Sequence, residues 1–285
     1  MHQGSFSLTA KKKNSQADDS KLGKSLSSQE DVESLRRDLN NMEKWSEDWQ
    51  MKFNTDKCTV MHLGRNNNAS QYVLNDKGLK ESESERDLGV IIDKNLKFSD
   101  HCNKVANNAN FTLGMIKRTI SCKSKSIITR LYKALVRPQL EYCVQAWRPY
   151  LKKDIEKIEK VQRRATKLIS ECSKLSYEER LKVAGLPSLE ARHNRGDLIE
   201  VFKILKGFSK VDYTHFFQLV KNSKTRGNKY KLVKSRSRLD IRKHFFSQRV
   251  VNEWNKLPNS VVEAECVNSF KNKYDSYVRR EKNQQ

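Results

Sequence analysis

Two adjacent carboxylates, Asp18 and Asp19, are the residues whose type and spacing could most directly bind a metal ion. Hard divalent cations such as Mg2+ take several oxygen ligands, and a pair of such ions can stabilise the attacking and leaving oxygens of a displacement at phosphorus. The two aspartates lie in the polar stretch NSQADDSKLG. Solvated surface charges are therefore the alternative interpretation.

The cysteines and histidines give weaker evidence of a metal site than the two aspartates. The six cysteines are scattered at positions 58, 102, 122, 143, 172 and 266 without any Cys-x-x-Cys pair. Cys58 and His62 are four residues apart and His101 adjoins Cys102, but two ligands do not make a tetrahedral zinc site. We expect reduced thiols and no zinc.

The net charge indicates the class of partner. Lys and Arg number 57 against 34 Asp and Glu, so the formal charge is +23, which attracts polyanions such as RNA, DNA or an anionic membrane surface. No apolar stretch approaches the ~18 to 20 residues that a spanning helix needs, and the first 30 residues contain no apolar signal-peptide core. We expect a nuclear or cytoplasmic protein that is not secreted and has no membrane partner.

One predicted helix, residues 154–169, concentrates this charge. Its apolar face comprises Ile155, Ile158, Val161, Ala165, Leu168 and Ile169. Its other faces carry Lys157, Lys160, Arg163, Arg164 and Lys167. Amphipathic helices are often charged on the solvent side, but acids are sparse after Glu159, so pairing along the helix cannot neutralise the later cations. The pattern favours contact with phosphates.

A second basic stretch, residues 221–243, has few apolar anchors and is predicted to be a flexible loop that orders on RNA or DNA. Its candidate contacts are Arg226, Lys229, Tyr230 and Lys231. Tyr230 could stack on a base, although a single tyrosine is more often an edge-of-core residue. We assign Trp45, Trp49, Trp147 and Trp254 to packing, because they sit at helical core spacings.

The periodicity predicts an α+β, mostly α fold. A helix begins after Ser27 or Ser28 and is followed by three short strands, in CTVMHLG, QYVL and RDLGVIID. Beyond Asp93 we expect only helices, one of them ended or kinked near Pro138.

Read in order, from about residue 16 to 280, these segments resemble the C-terminal part of a reverse transcriptase from non-LTR (LINE-type), jockey-like retrotransposons. The segments that carry the resemblance are ADDSKLG, WQMKFNTDKCTVMHLGRNN, RDLGVIID, LYKALVRPQLEYCVQAW, VQRRATKLI, LSYEERLKVAGLPSLEARHNRGDLI and FFSQRVVNEWNKLPNSVV.

The resemblance implies roles for individual residues. ADD resembles motif C, in which Asp18 would be the principal ligand of two catalytic Mg2+ ions and Asp19 its neighbour. FNTDKC resembles motif D, in which Lys57 would lie near the phosphates of the incoming nucleotide. DLGVIID resembles motif E, the primer grip, in which Leu88 and Gly89 would form a tight hairpin against the primer end.

The resemblance also implies four regions. Residues 1–27 would be a disordered leader with a motif C remnant, and 28–98 a partial palm with motifs D and E and a small sheet. Residues 99–172 would be a thumb-like helical domain, whose basic face holds the template–primer duplex. Residues 173–285 would be a C-terminal basic helical region.

Polymerase activity is expected to be lost in the isolated chain. In such enzymes a third aspartate on motif A bridges both metals, whereas the residues before Asp18 include no aspartate and no motif A, motif B or fingers. The strand expected before ADD is LTAKKKNSQ, with Gln16 in place of an aromatic residue, and buried lysines would cost much desolvation energy.

We therefore expect a truncated reverse-transcriptase-like protein that binds RNA or an RNA–DNA hybrid through basic helices. Two alternatives stay open. One is an active RNA-directed DNA polymerase, completed by a longer product or by a partner chain such as a full-length retrotransposon protein. The other is a translated relic or an interaction protein.

Overall fold

The computed structural model describes residues 21–64, 67–172, 174–220 and 228–283. Helices dominate these residues and the strands are few and short, which confirms the α+β, mostly α class. The chain divides into two compact units. The first unit runs to Asp87 and also includes Ile92–Asn95, and the second unit comprises Leu88–Ile91 and the chain from Leu96 onward.

The first unit begins with helix α1, Gln29–Asp48. Ser28 caps it: the Ser28 hydroxyl accepts a hydrogen bond from the backbone N–H of Asp31 (3.3 Å), and the Asp31 carboxylate accepts one from the backbone N–H of Ser28 (3.0 Å). This capping box satisfies two backbone donors that the first turn leaves without helical partners. The predicted start of the helix is confirmed.

Short strands, paired two by two, follow in the first unit, except that Val90 and Ile91 of β6 belong to the second unit. Their bounds are β1 Thr59–Val60, β2 Val73–Leu74, β3 Lys77–Gly78, β4 Lys80–Glu81, β5 Ser84–Asp87 and β6 Val90–Asp93. β1 pairs with β4 in parallel, β2 pairs with β3 antiparallel, and β5 pairs with β6. The run RDLGVIID is thus not one strand: it turns at Leu88–Gly89, between β5 and β6.

The packing assigned to Trp45 and Trp49 is wrong. Both side chains are exposed, at 46% and 55%, although they continue the apolar spacing of α1. The contacts of α1 lie on another side of the helix: Arg36 donates to the carbonyl of Gln71 (3.4 Å), and Val32 is buried. Near the C-terminal end of α1, Glu43 accepts a hydrogen bond from the backbone N–H of Asn75 and Ser46 is buried, so the covered side there is not the side that carries the two tryptophans.

The second unit is helical. Its helices are α2 Ser99–Thr119, α3 Lys125–Leu131, α4 Arg137–Glu141, α5 Val144–Trp147, α6 Lys152–Lys167, α7 Tyr177–Ala184, α8 Leu189–Leu205, α9 Asp240–His244, α10 Phe246–Arg249, α11 Val251–Lys256, α12 Asn259–Val262 and α13 Val267–Asn283. α2 packs along α6, and Ala109, Ile158 and Val161 are fully buried. Ile158 and Val161 belong to the apolar face that the spacing predicted for α6. Among the described residues, no helix is both long and apolar enough to cross a membrane.

The predicted kink near Pro138 takes the form of a π-helical segment, Tyr132–Val136, between α3 and α4. Proline has no N–H to donate to the carbonyl four residues earlier, which favours a local widening of the helix. The wider turn changes which residues face inward. Tyr132 and Val136 are buried, whereas the neighbouring Leu135 is 49% exposed.

Aromatic side chains from α8, α11 and α13 form the C-terminal part of the core. The rings of Phe202 and Phe270 stack with centroids 4.4 Å apart, and Trp254 lies 6.0 Å from Phe270. Asp197 on α8 is fully buried and accepts hydrogen bonds from Arg148 (2.9 Å) and Arg249 (2.8 Å). Arg148 directly follows α5 and Arg249 is the last residue of α10, so these contacts join the ends of both helices to α8.

Candidate nucleic-acid interface

Asp18 and Asp19 lie outside the described residues. Across the parts of the chain that the structure does describe, no group of three or more His, Cys, Asp or Glu side chains is placed to hold a metal ion. The described residues therefore do not provide a site for the Mg2+ ions that the resemblance implies.

Lys57, the motif D candidate, ends a 3-10 helix, Thr55–Lys57. Asn54 starts this turn because its side chain accepts a hydrogen bond from the backbone N–H of Asp56 (3.1 Å). The carboxylate of Asp56 pairs with Lys77, and this hydrogen bond holds the pKa of Asp56 below its usual value. Lys57 itself is exposed, so its ammonium group is accessible to an anion.

Leu88 and Gly89, the motif E candidates, form the two-residue turn of a hairpin. Their φ angles are +44° and +88°, as a type I′ turn requires at both central positions. A side chain at Gly89 would be strained by this φ, and its Cβ would lie 3.5 Å from the ring of Tyr142. The Leu88 side chain is 78% exposed.

Two residues that the sequence did not single out hold this turn in the second unit. The Tyr142 hydroxyl donates a hydrogen bond to the carbonyl of Leu88 (3.1 Å), and Nδ1 of His101 accepts one from the backbone N–H of Ile91 (3.1 Å). Burial lowers the pKa of His101 to about 4, so the ring is neutral at pH 7 and its Nδ1 can accept. His101 in turn packs edge-on against Trp147, with ring centroids 4.7 Å apart.

Three of the α6 cations face a cleft between α6 and α2, here called the α2–α6 cleft. Its volume is about 400 Å³, and its lining residues are Asn103, Ala106, Asn107, Asn110, Lys157, Lys160 and Arg164. The lining contains three cations and three carboxamides but no carboxylate. Lys157 donates a hydrogen bond to the side-chain oxygen of Asn103. Neither Lys160 nor Arg164 forms an ion pair with any other described residue.

The structure divides the five predicted α6 cations. Lys157, Lys160 and Arg164 line the α2–α6 cleft, whereas the guanidinium of Arg163 lies over the ring of Tyr177, 4.7 Å from its centroid. Lys167 is exposed in the last turn of α6. The ring contact gives Arg163 a packing role on α7.

Two of the candidates in the second basic stretch, Lys229 and Tyr230, have side-chain partners that the sequence did not indicate. Lys229 pairs with Glu263 (3.0 Å), which raises the pKa of Lys229. Lys206 donates to the Tyr230 hydroxyl (3.0 Å) and lies 4.2 Å from the centroid of its ring. Tyr230 is partly buried against the C-terminal core, which favours the edge-of-core alternative.

Residues 228–232 lie in a non-helical segment, as expected, and make contacts with the C-terminal core. Arg226 lies outside the described residues. The buried Asn228 amide donates to the carbonyls of Trp254 (3.0 Å) and Leu257 (3.1 Å). Leu232 is buried and forms a β-bridge with Leu219, while the carbonyl of Lys231 accepts a hydrogen bond from Val220 (2.9 Å). These partners are distant in sequence or contribute polar backbone groups, so the apolar spacing of the sequence could not predict the contacts.

Comparison with known proteins agrees with the sequence motifs. Over 140 residues, 48% of this chain and 15% of the relative, the chain is 25% identical to an RNA-directed DNA polymerase from the mobile element jockey of Drosophila melanogaster. Over 153 residues, 52% of this chain and 17% of the relative, it is 24% identical to the corresponding polymerase of Drosophila funebris. This chain is similar to part of a jockey-like reverse transcriptase.

The jockey-like similarity is partial, because the match spans only about 15% to 17% of the length of these curated relatives. No protein-family model matches the chain. No solved structure matches it either.

Proposed function

We propose that the second unit binds RNA or an RNA–DNA hybrid through the α2–α6 cleft. The observation that carries this proposal is the lining of the cleft, where three cations meet three carboxamides without a carboxylate. Ammonium and guanidinium groups bind phosphate oxygens through charge-assisted hydrogen bonds, and carboxamides can donate to the same oxygens or to sugar hydroxyls. The +23 net charge adds long-range attraction.

The jockey-like similarity supports this choice of partner, since the relatives are named as RNA-directed DNA polymerases. Within the proposal, residues 28–98 act as a partial palm, residues 99–172 as a thumb-like domain and residues 173–285 as a basic C-terminal region. Binding through backbone phosphates is independent of sequence and weakens steeply with salt.

The test is fluorescence anisotropy with a labelled RNA–DNA hybrid at low ionic strength. Replacing Lys160 and Arg164 by Glu removes two phosphate contacts of ~1.5 kcal/mol each, so we expect affinity to fall about 100-fold. Lys152→Glu/Lys153→Glu is the matched control, because it makes the same charge change on the exposed first turn of α6, outside the cleft. Equal losses in both variants, or no binding by the unchanged protein, would refute the proposal.

The names of the relatives favour a second candidate function, RNA-directed DNA polymerisation. It would use Asp18 and Asp19 and require the chain to be completed by further sequence or by a full-length retrotransposon protein. Primer extension with Mg2+, alone and with such a partner, tests it beside an Asp18→Asn variant. Incorporation that disappears in the variant supports catalysis. Incorporation by the wild-type chain alone would overturn our expectation that it binds without polymerising.

A relic without function remains the third possibility from the sequence. A relic is under no selection for cooperative folding, so its thermal unfolding would be broad. A sharp transition of the second unit, followed by circular dichroism, would count against it.

A further inference from the structure

A second surface combines charge with exposed apolar side chains. It comprises residues 233–245, here called the exposed strip, in which every residue is exposed except the half-buried Ser237. The strip contains the cations Lys234, Arg236, Arg238, Arg242 and Lys243. Its exposed apolar residues are Val233, Leu239, Ile241 and Phe245.

The strip is fixed at both ends. At its start, buried Leu232 exchanges two backbone hydrogen bonds with the side chain of Asn255 (2.8 and 2.9 Å). At its end, Phe246 is buried and its ring lies 5.8 Å from that of Phe217. The thirteen residues between these anchors are therefore presented to solvent as a surface of defined position.

The charge of the strip is largely uncompensated. Its one acid, Asp240, pairs with Lys243 (3.0 Å). Lys234, Arg236 and Arg238 make no ion pair with any residue that the structure describes. They recur every second residue on a segment without helix, a spacing that in an extended chain places side chains on a common side.

An aromatic stack lies at the end of the strip. The rings of His244 and Tyr150 are parallel within 6°, with centroids 4.5 Å apart. Desolvation lowers the pKa of His244, which favours the neutral ring, and the exposed side chain leaves room for stacking on another neutral ring. Arg242 lies 5.5 Å from the ring centroid of Phe245 close by.

We propose that the exposed strip is a binding site for single-stranded nucleic acid, distinct from the α2–α6 cleft. Sites of this class combine cations that follow the phosphates with aromatic and apolar groups that contact unpaired bases. A duplex buries its base faces in its own stack and cannot use the His244–Tyr150 rings in this way. Anionic lipid fits less well, because α9 spans only five residues and amphipathic lipid-binding helices are longer.

The site can be tested with a labelled oligouridylate and a labelled RNA–DNA hybrid, bound to the full-length chain in anisotropy titrations. Arg236→Glu/Arg238→Glu should weaken oligouridylate binding at least about tenfold and reduce the salt slope by about 1.4, since each single-strand phosphate contact contributes about 0.7. His244→Ala should weaken it about five- to hundredfold through lost stacking. Hybrid binding should change less than threefold in both variants.

Lys273→Glu/Arg279→Glu on α13 is the matched control, with the same charge change at two exposed positions outside the strip. The proposal is overturned if this control loses as much oligouridylate affinity as the strip variant, or if His244→Ala changes nothing. It is also overturned if the wild type binds phosphatidylserine vesicles through the strip but not oligouridylate. Because the hybrid is measured separately, failure at the strip is distinguishable from failure of the cleft.

Discussion

The two units of this chain differ in how fully they bury the apolar faces of their amphipathic helices. In the first unit, α1 has a regular apolar spacing, yet Val32 and Ser46 are its only described residues in the buried class and two tryptophans remain exposed. In the second unit, α2 and α6 have similar apolar spacing, and they bury their apolar faces against each other. The comparison teaches that periodicity predicts a helix reliably, whereas burial also requires a partner that packs on its apolar face.

The same contrast holds for charge. In the first unit, Lys94 and Glu83 pair at the surface, with side chains 43% and 80% exposed. In the second unit, Asp197 is fully buried between Arg148 and Arg249. Exposed pairs gain little because water and salt screen them, while a buried charge must keep its partners. Four changes would break or sharpen this comparison.

The largest effect is expected from Asp197→Ala. It leaves Arg148 and Arg249 without their shared carboxylate, so the free energy of unfolding of the second unit should fall by about 3 to 5 kcal/mol. Urea denaturation followed by tryptophan fluorescence measures this. Glu83→Ala, the first-unit counterpart, should cost less than about 0.5 kcal/mol. Similar costs for both variants would contradict the distinction between the units.

A comparable difference is expected between two tryptophans. Trp254→Ala removes a ring that is 1% exposed and stacked near Phe270, and should cost about 3 to 5 kcal/mol. Trp49→Ala removes a ring that is 55% exposed and should cost less than about 1 kcal/mol. Thermal unfolding of each variant checks the pair. A large loss for Trp49→Ala would mean that its ring is buried in solution.

Acid should destabilise the second unit through two buried histidines. Burial lowers the pKa of His101 and of His193 to about 4, from an ordinary value of about 6.5. Since the folded state disfavours the charged ring, this stability is complete above pH 6.5 and is lost as the pH falls towards 4. Each histidine contributes up to about 1.4 kcal/mol per pH unit across that window.

The measurement is the urea midpoint at pH 7 and pH 5 for the wild type and for His101→Gln/His193→Gln. Glutamine cannot titrate, so the double variant should show a smaller difference between the two pH values. An unchanged difference would show that other groups cause the acid sensitivity.

The smallest effects are expected from the helix caps. Ser28 caps α1 and Ser176 caps α7, each in a capping box. Ser28→Ala and Ser176→Ala should each cost about 1 kcal/mol. Hydrogen exchange of the backbone amides would locate the loss, which should appear in α1 for the first variant and in α7 for the second. Loss in the opposite helix would be evidence against the caps.

The sequence was sufficient where neighbours along the chain set the structure. It gave the cap at Ser28 and the inward face of α6, because these follow from local hydrogen bonds and from the helical period. It gave the kink near Pro138 but not its π-helical form, because the apolar spacing assumes a regular helical period. It missed the hairpin support from Tyr142 and His101. Those contacts join residues far apart in sequence, and no local pattern encodes them.

By itself, the sequence determined that this protein is mostly helical, strongly basic and similar to part of a jockey-like polymerase, since composition, period and motif order are properties of the chain alone. Only the tertiary structure decided which cations can meet a ligand. It placed Lys160 and Arg164 in a cleft, Arg163 over Tyr177 and Lys229 against Glu263. The reason is physical: whether a charge is free depends on the groups that folding brings beside it.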